Sequence, residues 1–451
     1  MGSSNDYFIK ATYINQKQNN NKTNLLLRPL QVLVKWIYEN QHKIQTVRHC
    51  SSLLRYKELE ENAQIEPESV TAPQTKPRPE ITPEFSFKYD DLQVRLAAPY
   101  QLQPKPEASD LGFGKYFTDH MLKINYFKQL GGWQKPEIIP FEYLSIHPAA
   151  KALHYAIQLF EGMKAYRGVD DKIRLFRPDL NMERMNLAAQ RSGLPTFDGE
   201  ELIKCLIRLI QIDQEWVPHS ETSTLYLRPT LIGTEPTFGV MEPDSAMLFI
   251  ILSPVSAYYK TSSDGAVSIY ADPNVVRAYP GGVGNRKVGS NYGPTIAVTS
   301  RAAKLGHHQV LWLFGPDKEL TEVGAMNIFI VYINEQGDKQ LSTPPLNGLI
   351  LPGVTRRSIL ELASQWEDLT VKEEVITMER VIELNKKGRL LEMFGAGTAV
   401  VVTPISNVGY LDENIHIPTM KQAQPVFQRL KDTLLAIQYG HIEHPYAKII
   451  S

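Results

Sequence analysis

Cysteine is nearly absent from the chain, which has only Cys50 and Cys205 among 451 residues. The two lie far apart in the sequence and form no CxxC pair and no Cys/His spacing of the kind that binds zinc. The sequence therefore offers neither a disulfide framework nor a cysteine metal site. A reducing intracellular compartment is the simplest prediction.

An excess of charge and a long apolar run are also missing. The formal net charge is −1, so no overall field draws the chain to a polyanion, and we predict no nucleic-acid partner. Because no stretch of about 18 uninterrupted apolar residues occurs, we predict no membrane span. What is present is a hydrophobic fraction of 43% in a chain long enough for two domains and a tail.

The N-terminal segment, residues 1–57, is basic and poor in acids. Lys and Arg occur nine times there against Asp6 and Glu39, and the stretch 25–38 is amphipathic with helical period. This composition is typical of an organelle-targeting leader, so we predict a mitochondrial location. The alternative is a disordered tail on a cytoplasmic protein. Residues 58–84, rich in Pro and poor in large apolar side chains, are predicted to be a linker.

Beyond residue 85 the pattern is that of a folded protein with mixed elements. Short apolar runs at residues 247–252, 309–314 and 327–333 predict buried strands. Residues 351–366 have helical period, with Thr355 as the predicted N-cap. The predicted fold class is therefore α/β (α+β), in two blocks divided near the polar stretch 260–265.

A glycine-rich loop, GGVGNRKVGSNYGP at residues 281–294, surrounds one lysine. It is not a P-loop, because Arg286 and Val288 flank Lys287 where Gly and Ser or Thr are needed. It is not a dinucleotide fingerprint either, because Lys287 occupies the position of the third glycine. Two interpretations remain: a solvated surface lysine, or an amine that binds an aldehyde covalently.

Pyridoxal phosphate bound to Lys287 would need partners of known type. The ring nitrogen needs a carboxylate, and the phosphate needs an arginine and a helix N-terminus or a nest of amides. Glu322, Arg184 and the helix start at 353–355 are candidates, and the small-residue turn 395–399 offers further amides. Taken singly, each has an ordinary structural explanation, and spacing does not decide between them.

Long motifs in the chain resemble the eukaryotic branched-chain amino acid aminotransferases. They are FGKYFTDHM, LHYAIQLFEGMKAYRG, YLRPTLIGTEPTFGV, GGVGNRKVGSNYGP, LTEVGAMNIF, STPPLNGLILPGVTRRSIL, EMFGAGTA and HIPTM. The resemblance extends from about Phe87 to the C-terminus and implies the class IV pyridoxal-phosphate fold. It implies a smaller N-terminal α/β domain at 85–256, an interdomain loop at 257–266 and a larger C-terminal α/β domain at 267–451. It also implies a homodimer with the cofactor between the domains.

The resemblance implies how pyridoxal 5'-phosphate is held. Lys287 is the imine-forming lysine, and its free amine then moves a proton between the substrate Cα and the cofactor, as a base and then as an acid. Glu322 faces the pyridine nitrogen, and Tyr292 faces the phenolic oxygen of the ring. The phosphate contacts Arg184, the amides of Val354 and Thr355, and Thr398.

The resemblance also implies the substrate site. The carboxylate binds Tyr226 and the backbone amides near Ala325 and Ala399, while Arg228 helps to accept the charged side chain of 2-oxoglutarate. An apolar pocket suits Leu, Ile and Val, since each buried methylene is worth about 0.8 kcal/mol. Its wall consists of Phe113, Tyr155, Phe160, Tyr258 and Met326, with Val240 reaching in from the partner subunit.

The sequence departs from the family at two places. Val400 and Thr403 stand where many animal members have a CxxC pair, which excludes redox switching through that pair. Ala325 stands where members often have Thr, and the effect should be mild if the backbone amide binds the substrate.

The implied activity is reversible transfer of the amino group of L-leucine, L-isoleucine or L-valine to 2-oxoglutarate by a ping-pong mechanism through pyridoxamine phosphate. The alternative within the fold is another class IV enzyme, a D-amino-acid aminotransferase or an aminodeoxychorismate lyase. We expect those enzymes to lack the GGVGNRK and ILPGVTRR motifs. A nucleotide-binding module is disfavoured because the loop fails both phosphate-binding patterns.

Overall fold

A computed structural model of the chain describes residues 85–256 and 265–451. The predicted leader 1–57, the linker 58–84 and residues 257–264 of the predicted interdomain loop, which include Tyr258, lie outside the described residues. The described part is mixed α and β, which confirms the predicted fold class.

The strands before residue 256 form one sheet in the order β1-β4-β2-β9-β8-β6-β7, with β3 paired to β2 and β5 paired to β8. The β1–β4 pair is parallel and the other pairs are antiparallel. The strands are β1 (Gln93–Val94), β2 (His120–Phe127), β3 (Gly132–Trp133), β4 (Glu137–Pro140), β5 (Gln158–Phe160), β6 (Met163–Arg167), β7 (Ile173–Phe176), β8 (Thr224–Gly233) and β9 (Ser245–Val255).

The later strands form a second sheet in the order β12-β11-β10-β17-β16-β13-β14-β15, with β18 paired to β17. Because β12 also pairs with β13, six of these strands close into a ring. The strands are β10 (Val267–Ala271), β11 (Gln309–Phe314), β12 (Glu319–Val323), β13 (Met326–Ile333), β14 (Lys339–Thr343), β15 (Thr370–Glu373), β16 (Leu390–Gly397), β17 (Val401–Tyr410) and β18 (Glu413–His416).

The last strand, β19 (Ala447–Ile449), returns to the first sheet and pairs with β7. The α-helices are α1 (Lys151–Tyr155), α2 (Pro178–Arg191), α3 (Gly199–Ile212), α4 (Thr295–Lys304), α5 (Val354–Ala363), α6 (Met378–Lys386) and α7 (Val426–Gln438). Short 3-10 helices span Tyr89–Asp91, Pro99–Gln101, Ala108–Asp110, Lys128–Leu130, Gln214–Trp216, Gly289–Asn291 and Pro418–Lys421. Within the described residues, no helix is long and apolar enough to cross a membrane.

Helix α3 illustrates how the sequence builds these elements. Asp198 caps its start, because the carboxylate accepts hydrogen bonds from Glu200 N at 3.0 Å and Glu201 N at 3.3 Å. Leu202, Leu206 and Leu209 then recur at helical spacing and are fully buried. They join a core formed by the first sheet, α2 and α3.

A second core fills the strand ring, with side chains such as Ile269, Leu313 and Ile328 completely buried. A third cluster joins the two sheets, because Tyr166 and Phe176 of the first sheet pack with Phe329 and Phe394 of the second. The functional cavity described below lies where both sheets supply residues. The domain boundaries at 256 and 267 stay a prediction.

The predicted strands are found. β11 lies at the predicted residues, β13 begins one residue earlier than predicted, and β9 extends beyond the predicted 247–252 at both ends. The predicted cap of α5 is wrong by two positions. Gly353, with an extended backbone at φ −69° and ψ 137°, is the N-cap, and Thr355 is the second residue of the helix. Thr355 is buried, and its place inside the first turn follows from the helix beginning at Val354.

Candidate active site

One cavity of about 600 Å³ collects most of the residues that the sequence singled out. This volume is within the usual range for a small-molecule site. The predicted cofactor contacts on its wall are Arg184, Lys287, Tyr292, Val354, Thr355 and Thr398. The predicted substrate contacts on its wall are Phe113, Phe160, Tyr226, Arg228, Ala325, Met326 and Ala399.

Lys287 is half-buried in this cavity, and backbone contacts with β5 fix its position. Its carbonyl accepts a hydrogen bond from Phe160 N at 3.1 Å, and the next residue forms a β-bridge with Leu159 of β5. The Lys287 Nζ donates to the Tyr292 hydroxyl at 3.1 Å and lies 4.6 Å from the centre of the Phe160 ring. The amine therefore points into the cavity.

The glycines of the loop allow close packing with neighbouring segments. A Cβ on Gly284 would lie 2.6 Å from the Leu349 carbonyl oxygen, and one on Gly289 would lie 2.7 Å from Gln158 Nε2. Asn291 Nδ2 fixes the loop by donating to the carbonyls of Val283 at 2.7 Å and Arg286 at 2.8 Å. The composition of the loop thus serves the rigid placement of Lys287.

Arg184 of α2 reaches the cavity through a buried ion pair that the sequence did not reveal. Glu161 is completely buried, and its two oxygens accept hydrogen bonds from Arg184 Nε at 2.7 Å and Nη2 at 2.8 Å. Asn181 Nδ2 donates to the same carboxylate at 2.7 Å. Burial alone would raise the pKa of Glu161, but the charge and hydrogen bonds of Arg184 hold it below its usual value.

The start of α5 forms another part of the wall. Gly353, Val354 and Thr355 line the cavity, and the first N–H groups of a helix have no acceptor within the helix. Asn327 Nδ2 donates to the Leu351 carbonyl at 2.9 Å and so fixes the approach to this helix. The helix start therefore presents free donors and a positive dipole end, a combination that suits a phosphate.

Aromatic side chains form another part of the wall. Tyr226 of β8 packs edge-on against Phe113, with ring centres 4.8 Å apart. The Arg228 guanidinium lies 4.8 Å from the centre of the Phe160 ring, and its Nη2 is 3.5 Å from the Tyr226 hydroxyl. Gly162 is needed here, because a Cβ would collide with the Tyr226 hydroxyl. This part of the wall thus combines apolar surface with the Arg228 cation.

Glu322 is buried but does not lie on the cavity wall. Its carboxylate accepts a hydrogen bond from Leu351 N at 2.6 Å and lies 3.2 Å from Arg277 Nε. Burial raises the pKa of Glu322 above its usual value, although the Arg277 charge opposes this rise. Arg277, which sequence reasoning missed, lies on the wall itself. The only feature of the sequence near Arg277 that could have marked it as a site residue is the glycine-rich loop 281–294 that follows it.

Tyr155 and Val240 also lie away from the cavity wall of their own chain. The Tyr155 hydroxyl donates to the Phe238 carbonyl at 2.5 Å, and Val240 in the same loop is 75% exposed. Tyr155 is therefore not among the residues that line the cavity of its own chain, and its hydroxyl contacts the loop that carries Val240. Its predicted place in the substrate pocket stays a prediction. Tyr258 lies outside the described residues.

The sequence model for amino-transferase class IV matches residues 158–408, which is more than half of the chain. The chain belongs to the class IV aminotransferase family. This class IV aminotransferase is 51% identical to the cytosolic branched-chain-amino-acid aminotransferase of Mus musculus over 358 residues, 79% of this chain and 92% of the relative. It is 50% identical to the mitochondrial enzyme of Bos taurus over 361 residues, 80% of this chain and 91% of the relative.

Solved structures agree on the fold. The branched-chain aminotransferase of Thermoproteus uzoniensis matches with a TM-score of 0.58 at 25% identity, covering 70% of this chain and 97% of that one. The Escherichia coli branched-chain aminotransferase also matches with a TM-score of 0.58, at 22% identity, covering 73% of this chain and 99% of that one. The class IV aminotransferase fold, expected from the motifs, is confirmed.

Proposed function

We propose that this class IV aminotransferase transfers the amino group of L-leucine, L-isoleucine or L-valine to 2-oxoglutarate, with pyridoxal 5'-phosphate as its cofactor. The relatives at about 50% identity are named branched-chain aminotransferases. The observation that carries the proposal is the Lys287 amine, which points into the cavity 3.1 Å from the Tyr292 hydroxyl. A D-amino-acid aminotransferase or aminodeoxychorismate lyase has no such support among these relatives.

The cavity has the donor set that pyridoxal phosphate requires. Arg184, Val354, Thr355 and Thr398 line the same cavity. The guanidinium, the two helix amides and the Thr398 hydroxyl would hold the phosphate. Tyr292 would contact the phenolic oxygen of the ring. Glu322, kept beside Arg277, would act at the pyridine nitrogen. When bound, the cofactor supplies an aldehyde that takes up the amino group and a ring that stabilises negative charge at the substrate Cα.

Lys287 is the residue that moves the proton. Its Nζ would take the proton from the substrate Cα as a general base and return a proton as a general acid. The Tyr292 hydroxyl and the Phe160 ring restrict the position of this amine, so it stays near one line of approach. Because the amine is already restricted, it loses less entropy when it reaches the position for proton transfer.

The substrate is positioned by the remaining wall residues. Tyr226 and the amides near Ala325 and Ala399 would bind the carboxylate. Phe113, Phe160 and Met326 give the apolar contact that a branched side chain needs. Arg228, with its guanidinium over the Phe160 ring, would pair with the side-chain carboxylate of 2-oxoglutarate. One pocket would in this way accept both the apolar donor and the charged acceptor.

We infer that a second copy of the chain covers the loop around Val240. Leu153, Phe238, Val240 and Met241 are all more than 60% exposed, and Tyr155 is hydrogen-bonded into the same patch. An apolar patch of this kind is typical of an interface. In a homodimer Val240 and Tyr155 would then contribute to the partner's pocket. Sedimentation analysis of Val240→Asp should give a monomer where the parent protein gives a dimer, and a monomeric parent protein would refute the homodimer.

The test of the activity is a donor panel on purified protein loaded with cofactor. We expect an absorption band of the lysine-bound cofactor that is lost in Lys287→Ala, and turnover of L-leucine, L-isoleucine and L-valine with 2-oxoglutarate. Strong turnover of D-alanine with none of L-leucine would overturn the proposed substrate. A colourless parent protein after incubation with pyridoxal phosphate would overturn the cofactor.

We propose a mitochondrial location from the basic segment 1–57. The relatives include both mitochondrial and cytosolic enzymes, so the family leaves this choice open. Imaging a fusion of residues 1–83 to a fluorescent reporter tests the proposal. Diffuse cytosolic fluorescence would refute it.

A further inference from the structure

A buried lysine stands behind the cavity without an acidic partner. Lys164 of β6 is 8% exposed, and its Nζ donates to the Ala399 carbonyl at 2.8 Å. Among the described residues, no carboxylate lies within 4 Å of this ammonium group. Burial lowers the pKa of Lys164 to about 8. Because a buried cation without a counter-charge destabilises a fold, its presence here calls for an explanation.

The segment that Lys164 contacts is a strained turn. Gly397 pairs with Val401, so Thr398, Ala399 and Val400 form a three-residue turn between β16 and β17. Val401 has a φ of +60°, a left-handed backbone that a β-branched residue rarely adopts. Such strain persists only where surrounding contacts fix it. The hydrogen bond from Lys164 is a contact of this kind.

The turn separates Lys164 from the main cavity. Thr398, Ala399 and Val400 all line that cavity, whereas Lys164 lines a small cavity of about 20 Å³ on the other side. Thr398 lines both, and so does Thr355. Lys164 therefore acts on the wall of the site from behind.

The hydrogen bond fixes the orientation of a peptide group. In a trans peptide the C=O and the N–H point in opposite directions. Since the Ala399 carbonyl points at Lys164, the N–H of Val400 points away from it, and Val400 lies on the wall of the main cavity. The ammonium group also adds positive charge in a region of low dielectric constant, where its field reaches further than in water. Both effects favour an anion in the cavity next to the turn.

The small cavity contains a second unusual polar group. Gln438 is 4% exposed, lines this cavity, and its Oε1 accepts no hydrogen bond from the described residues. The volume of the small cavity suffices for about one water molecule, and a buried water needs polar partners such as this oxygen. An ammonium group has three donors, so Lys164 has donors beyond the one that bonds to the Ala399 carbonyl. The small cavity is therefore lined by polar groups of both Lys164 and Gln438. A role for Lys164 in apolar packing alone does not account for these polar groups.

We propose that Lys164 is a positioning residue for the substrate carboxylate, which it serves by holding the Ala399 carbonyl and adding a positive charge behind the 398–400 turn. This inference rests on the proposed aminotransferase function. It concerns the carboxylate that every amino acid and oxo acid substrate carries, and it is independent of the side-chain pocket.

The test compares Lys164→Met with Lys318→Met as the matched control. Lys318 Nζ also donates to a backbone carbonyl, that of Pro273 at 2.9 Å, and it does not line the main cavity. The probe is 4-methylpentanoate, a carboxylate with the leucine side chain and no amino group. Its dissociation constant is measured on cofactor-loaded protein from the change in cofactor absorption, together with kcat and KM for L-leucine and 2-oxoglutarate.

We expect Lys164→Met to raise the dissociation constant of 4-methylpentanoate and both KM values about tenfold, which is 1.4 kcal/mol, while kcat changes less than threefold. Lys318→Met should match the parent protein. Unchanged probe binding in a folded Lys164→Met protein would overturn the inference. A loss of cofactor affinity with unchanged probe binding would overturn it as well, because Lys164 would then serve the phosphate.

If Lys164→Met does not fold, Lys164→Gln carries the same test, since it keeps a donor for the Ala399 carbonyl and removes the charge. Unchanged probe affinity in that variant overturns the charge contribution and with it the inference. Failure of the parent protein to transaminate L-leucine would instead overturn the proposed function. The two failures are therefore distinguishable in one set of measurements.

Discussion

At the scale of single residues, the site depends on pairs whose members are far apart in the sequence. Glu161 and Arg184 are both buried and share two hydrogen bonds. Glu161 lies inside a motif that identified the family, yet no local pattern marks it as the partner of Arg184, because the pair forms only when α2 packs on the end of β5. The chemistry of arginine made Arg184 a candidate phosphate ligand in the sequence. The orientation of its side chain could not be predicted, because it depends on Glu161.

Changing Glu161→Gln should loosen Arg184 and weaken the site. The substitution leaves the buried guanidinium without its counter-charge, and breaking a buried pair costs roughly 3 kcal/mol or more in the free energy of unfolding. Urea unfolding measures this loss, and titration with pyridoxal phosphate should show affinity reduced about tenfold. Asp368→Asn, which breaks the exposed pair with Arg429, is the control and should cost less than about 1 kcal/mol. Equal losses in the two variants would contradict the importance of the buried pair.

Changing Tyr292→Phe should reduce catalysis with little change in stability. The ring contact with Phe160, 4.9 Å between centres, remains, whereas the Lys287 amine loses its hydrogen-bond partner at 3.1 Å. A hydrogen bond to a charged group is worth about 1.5–3 kcal/mol, so we expect kcat/KM for L-leucine to fall roughly tenfold to a hundredfold. Tyr270→Phe, on β10 and outside the cavity wall, is the control. An unchanged kcat/KM in Tyr292→Phe would show that the hydroxyl does not orient the amine.

At the scale of elements, sequence patterns located strands better than helix ends. The apolar run 309–314 coincides with β11, because a strand buried on both faces is apolar at successive positions, as residues 310–313 are. The start of α5 was misplaced, since Gly353 and Thr355 both suit an N-cap and only the tertiary contacts of Gly353 decide between them. The start of helix α7 is harder still to predict from the sequence, because a side chain of the strand β16 stabilises it.

Glu392 of β16 stabilises the first turn of α7. Its oxygens accept hydrogen bonds from Val426 N at 2.7 Å and Phe427 N at 2.8 Å, and the N-cap residue Pro425 provides no side-chain acceptor. Glu392→Met keeps the volume but leaves two buried N–H groups unpaired, so we expect a loss of about 2–4 kcal/mol in the free energy of unfolding. Thr377→Val, which removes the ordinary cap of α6, should cost only about 1 kcal/mol. Equal losses in urea unfolding would refute the larger role of Glu392.

At the scale of the whole molecule, contacts between distant segments were beyond sequence reasoning. The strand β19 pairs with β7, although about 270 residues separate them. The hydrogen bond of Tyr155 to the Phe238 carbonyl, and its position off the cavity wall of its own chain, are likewise visible only in the structure. Such contacts have no period and no motif, because they depend on how complete sheets and helices pack.

Glu361 joins its own helix, α5, to two distant segments of the chain and should make stability depend on pH. It accepts hydrogen bonds from Arg177 Nη1 at 2.7 Å, Arg357 Nε at 2.8 Å and the Tyr446 hydroxyl. Burial would raise the pKa of Glu361, but these partners lower it from its usual 4.5 to about 2. Because the folded-state pKa is the lower one, the ionised carboxylate stabilises the fold above about pH 4.5, and this contribution is lost as the pH falls toward 2.

Glu361→Gln measures this contribution directly. The carboxylate is about one third exposed, so after allowance for solvent screening we expect the variant to be about 1 kcal/mol less stable than the parent protein at pH 7. The difference in free energy of unfolding should shrink steadily below pH 4.5, whereas Glu413→Gln, an exposed carboxylate of β18, should show little difference at any pH. Urea unfolding from pH 7 to pH 3 tests both. A difference that is the same at pH 7 and pH 3 would mean that the hydrogen bonds to Glu361 survive protonation and that its charge does not join the three segments.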